Sequence, residues 1–317
     1  MPIPLRLDGL LAKVEGTYGT DSVPVVGTDG VRVAQRLWSS LTLSNAWENL
    51  RRDIVSGSVY PPIPASPVGR MVSMDIAWEC KGAGSDVVSE AAPLIRACGF
   101  SETDGVSMFT YAIASQPHDS CSIYAYAGGM LFKIVGCRGT LRWAHVPGEL
   151  GIMRFAMQGL LTADPAASAL GVITSYDTTA PLPGVGYALT VGSWSPDVIA
   201  AEFIQGANVQ RLDSLNATDG IREFDWGLVD PTITLSAKAP KDATVLFDTA
   251  TYNPYADAKA RTSRAIAWTQ GNTQFNRIKL NAPAAYVNVP KHTDQQDYAG
   301  LDLTYNLTDT TTYIRFD

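Results

Sequence analysis

The sequence predicts a mainly β protein made of two tandem copies of one sandwich-like or barrel-like domain, each with a flanking α-helix. Three observations support this fold class. Short β-branched and aromatic runs alternate with explicit turn signals, a strand, proline turn and strand unit occurs twice, and 317 residues are more than one domain usually needs. We therefore expect two β domains.

The clearest β pattern lies at residues 121–161. Gly128-Gly129 suits a two-residue hairpin, because glycine tolerates the positive φ that such a turn requires. The run Val146-Pro147-Gly148-Glu149 suits a turn led by proline. After it, one phase of a two-residue alternation is apolar: Met153, Phe155 and Met157. One face of this strand is thus expected to pack on a core.

A second copy of the unit is expected at residues 283–307, where Val289-Pro290 aligns with Val146-Pro147. The alignment sets these residues opposite each other: Trp143 and Tyr286, then Met153, Phe155 and Met157 with Ala299, Leu301 and Leu303. Upstream, each copy has a strand followed by a helix-like segment, Val87 to Cys98 and Pro254 to Trp268. Because identity is slight and all-β chains offer coincidences, the prediction rests on the pattern.

These copies set the expected domains. The chain is divided into an N-terminal arm at 1–30, a first β domain at 31–165, a linker at 166–186 and a second β domain at 187–317. Glycines interrupt the first segment too often for a long helix, so it is interpreted as an extended arm. The linker is rich in Ala, Thr, Pro and Gly and carries little charge.

Prolines crowd residues 54–70 inside the first domain. Proline lacks a backbone donor and fixes φ, so this stretch is not expected to be a central strand. It also has apolar side chains and almost no charge. We therefore predict a long arm that packs on another surface.

The composition favours a subunit of an assembly. Charged residues make up 17% of the chain, below the roughly 25% of ordinary soluble domains. The net charge is −7 and no basic run is present, which argues against nucleic-acid binding, because phosphate affinity comes from Lys and Arg. An acidic or neutral surface would suit a wall that DNA slides past.

The sequence contains no constellation typical of an enzyme or of a cofactor site. Three histidines lack metal-binding spacing: His118, His145 and His292. Four cysteines without a CxxC pair indicate buried free thiols, and no GxSxG nucleophile motif occurs. We find no signal peptide and no apolar run of spanning length, so no membrane is expected as a partner.

Three short motifs occur in order along the first 165 residues: Lys13-Val14-Glu15 with Tyr18-Gly19-Thr20, Ala97-Cys98-Gly99-Phe100, and Gly136-Cys137-Arg138-Gly139-Thr140. Together they resemble the tail tube (major tail) proteins of long-tailed bacteriophages, and the second half shows a weaker likeness. The resemblance implies small β-sandwiches, each flanked by a helix. Six such domains would form a ring whose sheets join into a barrel around a DNA channel, and the rings would stack.

The resemblance also implies which residues make contacts. Candidate contacts between rings lie in the two arms: Lys13, Glu15, Tyr18, Tyr60, Pro61, Pro62, Ile63, Pro64 and Pro67. Weaker candidates for lining the lumen occupy the more polar of the alternating positions in the terminal strand: Asp302, Thr304 and Asn306. A duplicated chain needs only three copies for a pseudo-sixfold ring, whereas a decorating second half would require a hexamer.

The expected function is structural. The chain would be a virion protein of the tail, assembled in the host cytoplasm, and its tube would conduct DNA passively without specific binding. A tape-measure protein, a tail terminator and distal tail proteins would be its partners. The alternative is a β-sandwich binding module at the tail tip for a host glycan or protein, which should expose an aromatic cluster. A hydrolase ranks third.

Overall fold

A computed structural model of the chain describes residues 8–50, 66–115, 118–217, 220–240, 249, 251–295, 297–308 and 311–317. At positions 45–50, 66–69 and 295 the description covers the backbone alone. Five predicted contacts of the proline-rich arm lie outside the described residues: Tyr60, Pro61, Pro62, Ile63 and Pro64. Pro67 is described by its backbone only.

Antiparallel strands dominate the first half of the chain, as predicted. Its elements are β1 (Gly9–Val14), β2 (Gly30–Val31), α1 (Leu37–Ser40), β3 (Leu41–Leu50), β4 (Ser66–Glu79), α2 (Ala92–Arg96), β5 (Phe100–Gly105), β6 (Met108–Ile113), β7 (Cys121–Ala127), β8 (Met130–His145), β9 (Ile152–Leu161) and β10 (Ala166–Ala167). The strand β4 begins at Ser66, inside the predicted proline-rich arm at 54–70, and pairs there with β3.

Among its described residues, the second half contains one helix. Its elements are β11 (Ala188–Val191), β12 (Val198–Ile204), β13 (Ala207–Asp213), β14 (Ile221–Val229), β15 (Thr232–Lys238), α3 (Pro254–Ala260), β16 (Ser263–Thr273), β17 (Asn276–Val287), β18 (Lys291–Gln295), β19 (Tyr298–Leu307) and β20 (Tyr313–Phe316). The mainly β class is therefore confirmed.

The strands of the two halves pair in the same order. The first half gives β3–β4–β9–β8–β7–β1, and the second gives β12–β15–β19–β17–β16–β11. A helix follows the second strand of each order, α2 after β4 and α3 after β15. The first half adds the hairpin β5–β6 at this point, and in the second half β18 continues from the end of β17 along β19.

The registers of the two halves also agree. Facing pairs of the first half and their second-half counterparts are Val72–Gly159 with Ile233–Tyr305, Ile134–Leu161 with Ala285–Leu307, and Trp143–Met153 with Asp294–Ala299. In all three pairs, the residue of β9 and its counterpart on β19 differ by the same residue number. One other constant difference relates β8 to its counterparts on β17 and β18. The register of β8 shifts by one residue between Val135 and Arg138, and the step from β17 to β18 makes the same shift at the matching place.

One part of the sequence alignment is wrong. The structural counterpart of Trp143 is Asp294, whereas Tyr286 matches Val135. The cause is Val289-Pro290, which interrupts the long strand between β17 and β18 instead of forming the turn that closes a hairpin. The alignment of Met153 with Ala299 agrees with the paired strands.

Both predicted helices are shorter than expected. The segment Val87 to Cys98 is helical only in α2, and Gly99 ends it with φ of 84°. The segment Pro254 to Trp268 is helical only in α3, because Arg261 adopts a left-handed conformation with φ of 52°. The residues that follow alternate between buried and accessible positions, which is the period of a strand.

Two segments expected outside the domains lie against the first half. Residues 9–14 of the predicted arm form β1, which pairs with β2 and β7 and buries Leu10 and Leu11. The predicted linker 166–186 is extended after β10 and buries Leu182, whose backbone N–H donates to the carbonyl of Cys80. Both segments therefore add to the packing of the first half.

The buried side chains of both halves form one continuous core. Trp143 of β8 and Trp268 of β16 stack at its centre with ring centroids 4.4 Å apart and an interplanar angle of 2°. Both rings are almost fully buried. Large offset-stacked aromatics contribute strongly to core stability, so this pair joins the halves.

Candidate functional site: a continuous sheet and its edges

Eight strands form a continuous antiparallel sheet across the molecule, in the order β3–β4–β9–β8–β12–β15–β19–β18. The two halves meet in the pairing of β8 with β12, where Phe203 faces Trp143 and Ile204 faces Arg142. This junction makes the second half a direct extension of the first.

The two faces of this sheet differ sharply in polarity. Buried side chains of one face include Ile76, Trp78, Leu141, Trp143, Phe155, Phe203, Leu235 and Leu303. Side chains of the other face remain accessible and include Ser73, Asp75, Gln158, Arg142, Glu202, Thr234, Asp302, Thr304 and Asn306. Alternation of side chains along the strands produces this division, with Ala77 as a buried exception on the accessible face. The three lumen candidates from the sequence all lie on the accessible face.

Charges of both signs are interspersed on the accessible face. Arg142 and Glu202 form an ion pair across the junction between the halves. Asp302 accepts a hydrogen bond of 2.6 Å from the hydroxyl of Ser236, and Lys291 faces Asp302 on the next strand. Mixed charges of this kind offer a passing polyanion no sustained attraction.

The junction between the halves is closed by aromatic rings and by His145. The Nδ1 atom of His145 lies 2.5 Å from the hydroxyl oxygen of Tyr187, and its ring packs edge-on against Trp143 and Trp268. Burial lowers the pKa of His145 to about 4. The imidazole is therefore neutral at pH 7.

The hairpin of β13 and β14 packs on the first half around Arg138. The guanidinium donates to the carbonyl of Phe224 over 2.6 Å and lies over the rings of Tyr18 and Trp226. The indole of Trp226 donates to the carbonyl of Gly139 over 2.8 Å, and the backbone N–H of Phe224 donates to the hydroxyl of Tyr18. Burial raises the pKa of Tyr18 far above its usual value. Tyr18, an expected contact between rings, thus has partners within its own chain.

Glu15, another expected contact between rings, is buried in the first half. Its carboxylate accepts hydrogen bonds from the hydroxyls of Ser120 and Ser122 and from the backbone N–H groups of Gly19 and Gly136. Four donors satisfy a carboxylate well, so this cluster fixes β1 on β7. Lys13 on the same strand is exposed. A role of these residues between rings stays a prediction.

A buried ion pair, which the sequence did not indicate, anchors the predicted linker. The Nζ atom of Lys81 lies 2.9 Å from Oε1 of Glu90, and both side chains are almost fully buried. Lys81 also donates to the carbonyl of Asp177, while Glu90 accepts from the indole of Trp78 and from the backbone of Asp177. Asp177 is distant in sequence from both Lys81 and Glu90, and only the fold brings the three residues together.

The part of the chain that the structure describes contains no group of three or more His, Cys, Asp or Glu side chains placed to hold a metal ion. All four cysteines are buried and unpaired: Cys80, Cys98, Cys121 and Cys137. Burial raises the pKa of the Cys80, Cys98 and Cys137 thiols above the usual range. Among the same residues, no helix is long and apolar enough to cross a membrane.

These features define the class of the protein. A β-rich chain whose sheet has one packed face and one polar, accessible face is typical of a structural subunit. A family model described as phage tail tube protein matches residues 8–306. The chain therefore belongs to the phage tail tube family, and the predicted resemblance is confirmed. Membership makes it a structural component of a phage tail tube. No curated protein sequence gives a significant match.

Proposed function

We propose that the chain polymerises into stacked rings that form the tail tube and conduct DNA passively to the host. The observation that carries the proposal is the continuous eight-strand sheet with its single polar face. Its apolar face is covered by the core of the same chain, so the polar face is the one suited to a water-filled channel.

The ring would contain three chains. The two halves share strand order, helix position, register and the place of a one-residue shift, which supports two tandem copies of one domain. Three chains then supply six equivalent units and close a pseudo-sixfold ring. A hexamer remains the alternative if the halves are not equivalent in the assembly.

The lumen would be lined by the polar face, including Asp302, Thr304 and Asn306. A conduit works only when its wall does not hold the phosphates that pass it, because each Lys or Arg contact adds affinity. The mixed charges of this face, with Arg142 engaged by Glu202, suit that requirement. The wall would therefore let DNA pass because it does not bind the phosphates.

Contacts between rings are proposed for the proline-rich arm, with Tyr60, Pro61, Pro62, Ile63, Pro64 and Pro67, and for the exposed Lys13 near the N-terminus. Glu15 and Tyr18 are weaker candidates, since intrachain partners occupy them. Assembly in the host cytoplasm is supported by four buried free thiols, which suit a reducing compartment. A tape-measure protein, a tail terminator and distal tail proteins would complete the tail.

The alternative of a tail-tip binding module should expose an aromatic cluster. Of the six tryptophan side chains that the structure describes, Trp38 is 48% exposed and the other five are buried: Trp78, Trp143, Trp194, Trp226 and Trp268. The tube proposal is accordingly the better supported of the two.

Electron microscopy of the purified protein in negative stain, over a concentration series, tests the proposal together with light-scattering mass. We expect stacked rings built from a particle about three times the 34.0 kDa chain. Rings of six chains would retain the tube and overturn the duplication. A monomer that never polymerises, even with tail extract added, would contradict the proposed function.

A further inference from the structure

We infer that β3 of one chain pairs antiparallel with β18 of the next chain in the ring, with Ser44 opposite Thr293. The inference rests on the proposed function and specifies its interface: the partner of each rim strand is a second copy of this chain. It goes further than ring formation because it fixes which strands meet and in which register.

Both strands are at the rims of the eight-strand sheet. Within the described residues, β3 pairs along one side only, with β4, and β18 pairs along one side only, with β19. An edge strand presents a row of N–H and C=O groups that a further strand can satisfy. The two rims lie at opposite ends of the same sheet, so one can meet the other only between chains or by closing the sheet on itself.

The junction inside the chain shows how such rims fit. In the shared strand order, β12 occupies the place of β3, and the end of β8 occupies the place of β18. Within the chain β12 and β8 are paired antiparallel, with Phe203 facing Trp143 and Ile204 facing Arg142. The equivalent pairing between chains joins β3 to β18.

The register follows from residue correspondence. Leu43 faces Val72 as Phe203 faces Ile233, so Leu43 corresponds to Phe203. On the other rim, Trp143 corresponds to Asp294, as their partners on β9 and β19 establish. Transfer of the internal junction therefore places Leu43 opposite Asp294. The next pair, Ser44 opposite Thr293, takes the place of Ile204 opposite Arg142 and lies on the polar face.

Apolar surface on the two rims supports this pairing. Leu43 is 50% exposed, whereas its counterpart Phe203 is fully buried at the internal junction. Beside β18, on the core face of the sheet, is a cavity of about 630 Å³. Its lining includes Ala239, Tyr255, His292, Ala299 and Leu301. The inferred register directs Leu43 towards this cavity, where burial of its side chain would stabilise the contact.

The ring closes when the pairing of β3 with β18 is repeated between successive chains. Each chain contributes eight strands, and the junction between chains repeats the junction within the chain. Three chains then form a closed barrel in which no strand edge remains open. The same pairing also continues the polar face without interruption around the channel.

Cysteine cross-linking of assembled tubes tests the register. The test variant is Ser44→Cys with Thr293→Cys, whose Cβ atoms would face each other within disulfide reach. The matched control is Ser44→Cys with Lys291→Cys, two residues away on the same strand face. A diagonal separation of about 7–8 Å is too long for a disulfide. Native cysteines are buried, so the unmodified chain supplies the background.

After oxidation, a non-reducing gel should show a reducible ladder that ends at three chains in the test variant. We expect about ten-fold less cross-linking in the control. If the first variant does not assemble, Thr42→Cys with Gln295→Cys probes the same register two residues along, at the next pair on the polar face. Tubes that cross-link in the control but in neither test pair would overturn the register.

Tubes that cross-link in no pair would overturn the β3 to β18 contact while the proposed function stands. A ladder extending to six would retain the contact and overturn three-chain closure, whereas an unmodified chain that forms no tubes would contradict the function itself.

Discussion

The two halves share one strand order, yet the same position has opposite surroundings in each. Trp143 is buried against Trp268, whereas its counterpart Asp294 is exposed on β18. The difference arises because the chain continues after the first half and covers that rim with β12. It teaches that a position is core or surface according to the strand that covers it, since β12 covers the rim of the first half.

The largest effect on the free energy of unfolding is expected when the side chains of the buried residue and of its exposed counterpart are each replaced by alanine. Trp143→Ala should lower the free energy of unfolding of the unassembled chain by about 3–5 kcal/mol, because it empties the stacked core. The matched variant Asp294→Ala should change it by less than about 0.5 kcal/mol, since no buried contact is lost. Urea denaturation measures both. Similar losses in the two variants would contradict the proposed difference between the rims.

A comparable effect is expected from the ion pair that anchors the predicted linker. Glu90→Ala should cost about 3–5 kcal/mol, because the buried charge of Lys81 loses its close carboxylate and keeps only the carbonyl and the more distant carboxylate of Asp177. The double variant Lys81→Met with Glu90→Leu removes both charges and should recover most of the loss. If the double variant is as unstable as the single one, lost packing and not the unpaired charge is responsible. Denaturation midpoints and slopes distinguish these results.

A fall in pH should destabilise the junction between the two halves of the chain. The folded pKa of His145 is about 4, and its unfolded value is near the ordinary 6.5, so the unfolded chain binds more protons between these values. Stability contributed by the neutral imidazole is complete above about pH 6.5 and is lost as the pH falls towards 4, by about 3 kcal/mol. Thermal unfolding over this range measures the slope. His145→Gln should flatten it and His292→Gln should not; the reverse would refute the assignment.

The smallest effect on folding, with the clearest effect on function, is expected on the polar face. Thr304→Lys should change the free energy of unfolding by about 0.5 kcal/mol or less, because its side chain is accessible. In a ring it places a cation at every copy of the position, so DNA release from virions should slow, and added salt should reduce the delay. The control Leu303→Lys enters the core and should prevent folding. Unchanged ejection kinetics in Thr304→Lys would argue against a lumen position.

Much of the fold could be predicted because strands with one packed face leave a period-two pattern. Met153, Phe155 and Met157 show it, and all three are buried. The helix expected up to Trp268 failed because small and apolar residues after Arg261 fit either period, and the left-handed backbone at Arg261 decided the outcome.

The candidate site was harder to predict from sequence. Proline in Val289-Pro290 is compatible with a turn or with an interrupted strand, and only the partner strand β19 distinguishes them. The resemblance motif containing Glu15 and Tyr18 marked residues that matter, but their role as anchors within the chain depends on contacts with Ser120 and Phe224 far along the sequence. Pair contacts of this kind have no local signal.

A reconstruction of the assembled tube by cryo-electron microscopy, at a resolution that separates strands, would show directly how the chains pair. We expect three chains per ring, β3 of each chain paired with β18 of the next, and Asp302, Thr304 and Asn306 facing the lumen. Six chains per ring, or a junction between chains that does not reproduce the pairing of β12 with β8, would contradict this expectation.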